Sequence, residues 1–519
     1  MNKIFFYLLT MALIAVACTR IDKNEATDAN EPYRPQVHFT PDSMWMNDPN
    51  GMVYYDGEYH LFYQYFPDST IWGPMHWGHA ISTDLVHWER MPTALYPDSL
   101  GWIFSGSAVA DVNNTSGLGT AENPPLVAIY TYHNRSLEDS GVDTFEYQGL
   151  AYSIDKGRSW TKYEYNPILP NPGIRDFRDP KVIWHEESSR WIMILAAQDR
   201  VHLYSSADLL EWEYESDFGQ NIGAHGGVWE CPDLFPMPAG DTTKWVMLVS
   251  INPGGPNGGS ATQYFVGDFD GHAFTSEGIK TKWVDYGKDN YAGVSWSNVP
   301  EEDGRRLFIG WMNNWQYADQ IPTGKWRGAM TVARELELVE VYNNYLLVSK
   351  PVEELQSIRG REEQLKPENV SGEMEIKKTF EFPIEIRLHF DTKNSTSVNF
   401  AERFGIALSN ASNEKLLIGY DNLNKLFFID RSAAGWESPN KEFGGVHFAP
   451  YINNDPILDM HLIIDRSSVE LFAKGGLVSM TEQFFASQPF SSVSLFAEHG
   501  EVTLSEGRVW ELGSIWQIK

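Results

Sequence analysis

The chain has 519 residues, with 70 Asp and Glu against 40 Lys and Arg, for a formal net charge of -30. That balance excludes a nucleic-acid partner, which needs clustered basic residues, and favours a neutral substrate over an anionic one. Hydrophobic residues at 42% exclude a disordered chain, the two cysteines, Cys18 and Cys231, exclude a disulfide framework, and 19 Trp suit both a large core and a surface that stacks on sugar rings.

Residues 1–18 read as an export signal. Lys3 supplies the positive start, and residues 4–16 are mostly apolar but too few to span a membrane comfortably. The run ends in Ala15-Val16-Ala17-Cys18, which resembles a bacterial lipoprotein signal, although Leu is more usual where Ala15 stands. That resemblance implies cleavage before Cys18 and lipid attachment at its thiol and new N-terminus; ordinary secretion is the alternative. Residues 19–36 are polar and acidic and are expected to form a flexible tether.

Residues 37–347 show little helical periodicity. Short apolar or alternating runs, such as Tyr59-His60-Leu61-Phe62-Tyr63 and Trp245-Val246-Met247-Leu248-Val249, are broken by Gly, Pro, Asn and Asp and predict strands. A weak repeat accompanies them. Ser82-Thr83-Asp84-Leu85-Val86-His87-Trp88 recurs around Asp155 and Trp160 and around Asp208 and Trp212, and more loosely as Phe269-Asp270-Gly271-His272-Ala273-Phe274. The aromatics that end these copies lie 72, 52 and 62 residues apart. A strand unit of roughly 60 residues over this length predicts a five-bladed β-propeller. A long sandwich would leave the recurring turn unexplained. Within the repeat, Asp is expected to order a turn and the aromatic to pack between sheets.

Residues 348–373 change character, with one short helix expected near residues 351–360 before a charged connector. Residues 374–519 return to regularly spaced short strands, such as Glu385-Ile386-Arg387-Leu388-His389-Phe390, and predict a C-terminal β-sandwich. The fold class is therefore all-β.

Three carboxylates in the first region lie just before prolines: Asp48 in Trp45-Met46-Asn47-Asp48-Pro49-Asn50-Gly51, Asp179 in Phe177-Arg178-Asp179-Pro180, and Glu230 in Trp229-Glu230-Cys231-Pro232-Asp233. Asn-Asp-Pro and Asn-Gly both favour tight turns, so Asp48 is expected on a rigid bend. Each motif alone is most often structural. Three in order, on separate candidate blades whose inner strands converge, are much more specific.

These motifs resemble the three signatures of glycoside hydrolase family 32, the β-fructosidases. The similarity extends over most of the chain after the signal and includes residues 64–67, 72–80, 104–109, 310–315, 334–336 and 465–472. It implies a five-bladed propeller followed by a sandwich, and it implies roles. Asp48 would be the nucleophile and Glu230 the general acid/base of a retaining mechanism, which places two carboxyl groups about 5–5.5 Å apart. Asp179 would hold fructose hydroxyls and stabilise the transition state. Arg178 would hold the carboxylates and bind a hydroxyl. Asn47, Gln64 and Ser105 would bind hydroxyls, and Trp72, Phe104 and Trp311 would form apolar walls, with Trp315 and Trp296 as lesser candidates. Cys231 is either a small inert neighbour of Glu230 or a group that tunes it. No cofactor or metal is needed.

Residues 285–297 resemble bacterial levanases and exo-inulinases more than plant invertases, although Asn290 stands where many family members have Phe. The leading expectation is exo-release of fructose from levan or inulin, and from sucrose. The alternatives are an endo-levanase, a fructosyltransferase and a non-catalytic fructan-binding protein. The expected partners are fructan or sucrose, and a membrane only through lipid on Cys18.

Overall fold

The computed structural model describes residues 31–376, 381–452 and 455–516. Five sheets, antiparallel except where Trp326–Arg327 adds to the first in parallel, form the blades of a propeller. Blade 1 comprises Met44–Tyr55, Glu58–Phe66, His76–Ser82 and Glu89–Leu95; blade 2, Trp102–Ala110, Leu126–His133, Glu146–Ser153 and Thr161–Lys162. Blade 3 comprises Phe177–His185, Arg190–Ala197, Val201–Ser206 and Glu213–Phe218; blade 4, Val228–Ala239, Thr242–Asn252, Ala261–Phe269 and Phe274–Ser276. Blade 5 comprises Tyr291–Ser295, Arg306–Trp311, Arg334–Val341 and Asn344–Pro351. The first strand of each blade packs against the first strand of the next. Blade 5 closes on blade 1 through Tyr54 N to Ser297 O at 3.0 Å and Ser297 N to Met52 O at 2.9 Å.

Strand direction alternates within a blade. The connections from second to third strand, and from one blade to the next, therefore gather at the end where the inner strands begin. The third-to-fourth turns lie at the opposite end, and the repeat sits in them. Asp84 accepts from the backbone N–H groups of Val86 and His87, Asp208 from Leu210 and Glu211, and Asp270 from His272 and Ala273. These aspartates order turns, as expected. Blade 5 replaces the repeat with the two-residue turn Tyr342-Asn343, both at positive φ (51° and 60°), which is why five blades carry only four copies.

The Asp48 segment differs from its expected tight turn, because it lies inside the strand Met44–Tyr55. On its funnel side this strand pairs only at Met44 and Trp45, with Trp326 and Arg327, and bridges at Val53 to Ser297, so Pro49 between them leaves no ladder donor missing there. Gly51 is needed there. Its φ is +54°, and a Cβ would lie 2.6 Å from the Phe62 ring and 2.8 Å from the Trp77 ring.

The C-terminal region is a sandwich of two layers built from one continuous sheet of 11 strands. Ser492–Leu512, 21 residues long, runs through both layers. Its first half pairs with Arg403–Ser409 and its second half with Ile384–Asp391. Ile386, Leu388 and Phe390 meet Phe404, Ile406 and Leu462 in the core between the layers. The expected connector departs from the reading at 348–373. Glu353–Ile358 is a 3-10 turn, but Arg359–Leu365 and Glu368–Glu375 are strands paired with Ser492–Leu512. Their charged, largely exposed side chains hide the strand alternation.

The expected tether also ends early. Arg34 is buried over the Trp326 ring and donates to Thr40 Oγ1 and the Pro41 carbonyl, and the Gln36 N–H donates to Asp465. Residues 19–30 of the tether, Cys18 and the signal lie outside the described residues.

Buried ion pairs join propeller and sandwich. His38 lies between Asp465 (2.8 Å) and Glu470 (2.9 Å), Arg334 pairs with Asp285 (2.9 Å) and Glu470, and Arg431 pairs with Asp289 (2.6 Å) and Glu482 (2.9 Å). Residues 465–472 are thus a clasp between the two regions. Asn290 belongs to the same interface, with its side-chain amide donating to Asp285 at 3.2 Å.

Candidate active site

All five inner strands share one irregularity. In blade 1, Met46 to Pro49 lie opposite Tyr65 to Tyr63, so three steps along one strand face two along the other. The same one-residue bulge occurs between Ile103 and Gly106, Arg178 and Lys181, Glu230 and Asp233, and Tyr291 and Val294. A bulge re-aims the side chains around it. Here five bulges form a ring at the level of Asp48, Ser105, Asp179, Glu230 and Tyr291. Asp179 and Cys231 adopt left-handed backbone (φ 65° and 45°), a conformation that costs a non-glycine residue about 1–3 kcal/mol. Ala292 in the blade 5 bulge shares that conformation (φ 54°), so three of the five bulges carry it, two of them in the motifs.

The ring opens into a cavity of about 270 Å³ lined from every blade. Asn47, Asp48, Gln64, Trp72, Phe104, Ser105, Arg178, Asp179 and Glu230 all border it. Trp311 does not. It is fully buried, with its centroid 6.2 Å from that of Trp45 and 4.9 Å from that of Trp315. Trp315 is the tryptophan of blade 5 that borders the cavity. The two residues lie four apart, and the turn after Trp311 lifts Trp315 to the surface of the funnel. Trp296 is buried in the core, donating to the His60 carbonyl at 2.9 Å.

Asp48 accepts from Ser105 Oγ at 2.7 Å and from the Asn47 amide at 3.0 Å, and Trp45 Nε1 fixes Asn47 by donating to its Oδ1 at 2.7 Å. Burial raises the Asp48 carboxyl, and the donors from Asn47, Ser105 and Cys231 oppose that rise. Asp179 accepts from the Cys231 N–H at 3.0 Å. Its carboxyl is pushed up to about 8, chiefly by burial; Arg178 pulls against this, while the charges of Glu230 and Asp48 reinforce it. The Cys231 thiol lies 3.6 Å from both Asp48 Oδ2 and Asp179 Oδ2. Its own ionisation is pushed far up, first by burial and then by three carboxylates, so it remains a neutral donor.

Glu230 takes Arg178 Nη2 on Oε1 at 3.2 Å and the Tyr291 hydroxyl on Oε2. Its carboxyl is raised by burial and by Asp48, against the pull of Arg178 and Tyr291. One guanidinium therefore serves several acids: Arg178 Nη1 also reaches Glu146 at 3.1 Å and Asp176 at 2.8 Å. Glu146 is held in place by the Phe177 N–H (2.9 Å) and His133 (3.2 Å), and the His133 ring stacks on Phe104 with centroids 4.2 Å apart.

Sequence reasoning missed Glu146, His133 and Tyr291. Tyr291 lay within the segment singled out at residues 285–297 and could have been found there. Glu146 carries no motif, and only its position on the third strand of blade 2 brings it under Arg178.

The arrangement can hold one carboxylate charged by neutral donors, keep a proton on a neighbour, and enclose a small polyol. Comparison with known proteins agrees with this chemistry. Residues 38–351 match the family model of the glycosyl hydrolases family 32 N-terminal domain, and residues 353–511 match that of the family 32 C-terminal region. A levanase of Bacillus subtilis (strain 168) is 46% identical over 99% of this chain and 74% of that protein. An extracellular exo-inulinase of Aspergillus awamori is 39% identical over 95% of this chain and 96% of that protein. The crystal structure of the exo-inulinase from Aspergillus awamori superposes with a TM-score of 0.86 at 37% identity, covering 94% of this chain and 100% of that one. A β-fructofuranosidase from Schwanniomyces occidentalis complexed with fructosyl-erythritol gives a TM-score of 0.86 at 35% identity, covering 94% and 99%. The chain belongs to glycoside hydrolase family 32 and is a glycosidase.

Proposed function

We propose that this enzyme removes single fructose units from the ends of fructans, levan or inulin, and from sucrose, through a covalent fructosyl-enzyme. Levanase, exo-inulinase and β-fructofuranosidase share one chemistry, hydrolysis of a β-fructosidic bond, and this chain is an enzyme of that class. The observation that carries the exo reading is the cavity. It is small, about 270 Å³, and lies at the end of the funnel with residues from all five blades in its lining, which favours a chain terminus over a chain passing through.

In the proposed mechanism Asp48 attacks the anomeric carbon of the terminal fructose. Glu230 gives its proton to the departing glycosidic oxygen as the Asp48–fructose ester forms. Glu230 then takes a proton from water, which attacks the same carbon, releases fructose and restores the Asp48 carboxylate. The surroundings of the two acids divide the roles: donors from Asn47 and Ser105 favour the charged form of Asp48, whereas burial and the Asp48 charge favour the protonated form of Glu230. Asp179 and Arg178 would hold fructose hydroxyls, with Gln64, Trp72 and Phe104 completing the pocket and Trp315 taking the place expected of Trp311.

Chromatography of early products from levan, inulin and sucrose tests this reading. Free fructose from the first time points is expected; a ladder of oligosaccharides preceding it would indicate endo-cleavage, and fructosylated sucrose would indicate transfer. Export with lipid on Cys18 is part of the same proposal, supported by the Ala15-Val16-Ala17-Cys18 signal and by relatives named as extracellular. A Cys18→Ser variant should move activity from the membrane fraction to the soluble one; an unchanged distribution would contradict the anchor.

A further inference from the structure

Trp315 stands in the connection after Arg306–Trp311, outside every ladder of its own blade, yet it borders the cavity. The propeller holds its start, with the Trp315 N–H donating to Ser260 Oγ at 3.1 Å and the Asn314 amide to the Lys288 carbonyl at 2.8 Å, while the residues after Trp315 are held from the C-terminal sheet. Arg431, on the strand Leu426–Ala433, is buried and donates from Nη2 to the Tyr317 hydroxyl at 2.8 Å. Its Nη1 donates to Asp289 at 2.6 Å and to the Gln483 carbonyl at 2.8 Å, and its Nε to the Phe443 carbonyl at 2.6 Å. The Tyr317 hydroxyl in turn donates to Asp289 Oδ1 at 2.7 Å, and its ring meets Phe443 edge-on with centroids 5.0 Å apart. The Asn440 amide, also from the C-terminal sheet's loops, donates to the Gln316 carbonyl. Gln316 and Tyr317, the two residues that follow Trp315, are thus both tied to the sandwich.

The inward path is as direct. The Trp315 indole stacks on Trp45, with centroids 5.9 Å apart and planes at 26°. Trp45 donates to Asn47 at 2.7 Å, and Asn47 donates to Asp48 at 3.0 Å. We propose that the C-terminal sandwich is a positioning element of the active site: Arg431, acting through the Tyr317 hydroxyl, sets the Trp315 wall and so the fit of the terminal fructose. The proposal rests on the β-fructosidase reading above. Its physical basis is that a segment without ladder hydrogen bonds takes its geometry from whatever pins its side chains, and the Arg431 fork is itself fixed by two carboxylates and two carbonyls. Tyr317 and Arg431 are positioning residues; Trp315 alone meets the cavity.

A double-mutant cycle on the full-length enzyme tests this. Tyr317→Phe removes the hydroxyl but keeps the ring on Phe443 and the Arg431–Asp289 pair. It should raise KM for sucrose and levan about fivefold with kcat within about twofold, as expected for loss of binding shared by ground and transition states. In a Trp315→Ala background the same change should add nothing to KM. A KM unaffected by Tyr317→Phe, or raised equally in both backgrounds, would overturn the proposal. Asn440→Ala supplies a second arm that leaves the buried ion pairs intact. A smaller rise in KM that disappears in the Trp315→Ala background supports the proposal, and a lowered thermal midpoint with unchanged KM contradicts it. Absence of wild-type turnover on fructans and sucrose would overturn the activity reading as well, whereas additivity with normal wild-type turnover overturns the positioning role alone.

Discussion

Two groups of buried carboxylates, one in the clasp and one in the funnel, respond to burial in opposite ways. In the clasp between propeller and sandwich, Asp465 and Glu470 are buried, but His38 and Arg334 outweigh the burial and hold both carboxyls below their ordinary values. In the funnel, Asp48, Asp179 and Glu230 are all raised, burial being the largest cause for each. The difference is cation supply. The clasp gives its acids a histidine and an arginine at hydrogen-bond distance, whereas Arg178 is divided among Glu230, Glu146 and Asp176. Burial alone marks neither function nor structure; a group of buried carboxylates left short of cations, each raised above its ordinary value, marks the candidate reactive site.

The sharpest way to break this contrast is to remove a funnel acid. Glu230→Gln, which removes the proposed general acid/base, should lower kcat by about 10²–10⁴-fold, the usual worth of such a group, while leaving thermal stability close to wild type. Steady-state kinetics and a melting curve on the same sample check it. The clasp should behave in reverse. Glu470→Gln leaves His38 and Arg334 without their shared carboxylate, and breaking one side of a buried pair costs about 3–5 kcal/mol. Denaturant unfolding should show that loss, with kcat nearly unchanged in the protein that remains folded.

The two regions should also divide in their pH dependence. Asp179 holds its proton more tightly folded, to about 8, than unfolded, near 3.8. The unfolded chain therefore binds fewer protons over that interval, and this residue's effect on stability worsens as pH rises from about 4 to 8. Asp179→Asn should be increasingly stabilising over that range although it lowers activity. His38 is raised to about 9 from 6.5, so its contribution is complete below 6.5 and is lost as pH rises through 9. Asp465 and Glu470, held low, contribute above their unfolded values and lose that contribution as pH falls through their depressed folded values. Melting midpoints of wild type, Asp179→Asn and His38→Gln across pH separate these terms. The smallest expected effect is that of Tyr291→Phe. Removing the donor to Glu230 should raise that carboxyl further and shift the basic limb of the kcat/KM profile to higher pH; an unmoved limb would remove Tyr291 from the account.

The acids were legible because each lies in a short motif with a proline beside it, and the turn repeats were legible because one Ser-Asp-aromatic pattern recurs. What the sequence did not reveal depends on long-range placement. Tyr291 reaches Glu230 only because the inner strands of blades 4 and 5 are neighbours. Trp311 and Trp315 are equally aromatic, and only the turn between them decides which one meets the cavity. Arg359–Leu365 reads as a connector because its charges lie on an exposed edge of the sheet. Asp48 reads as a turn residue because Asn, Pro and Gly favour turns, yet a blade edge with a bulge accepts all three. The common bulge in five strands is invisible residue by residue and appears only in the register.

In the proposed mechanism Asp48 becomes covalently bonded to fructose while Glu230 handles the proton. The most direct measurement is mass spectrometry of the Glu230→Gln variant after brief exposure to a fructoside whose leaving group needs no protonation. A single fructosyl adduct mapped to the peptide containing Asp48, and absent in an Asp48→Asn, Glu230→Gln double variant, is predicted. An adduct on another residue, or product formed with inverted anomeric configuration and no adduct, would contradict the account.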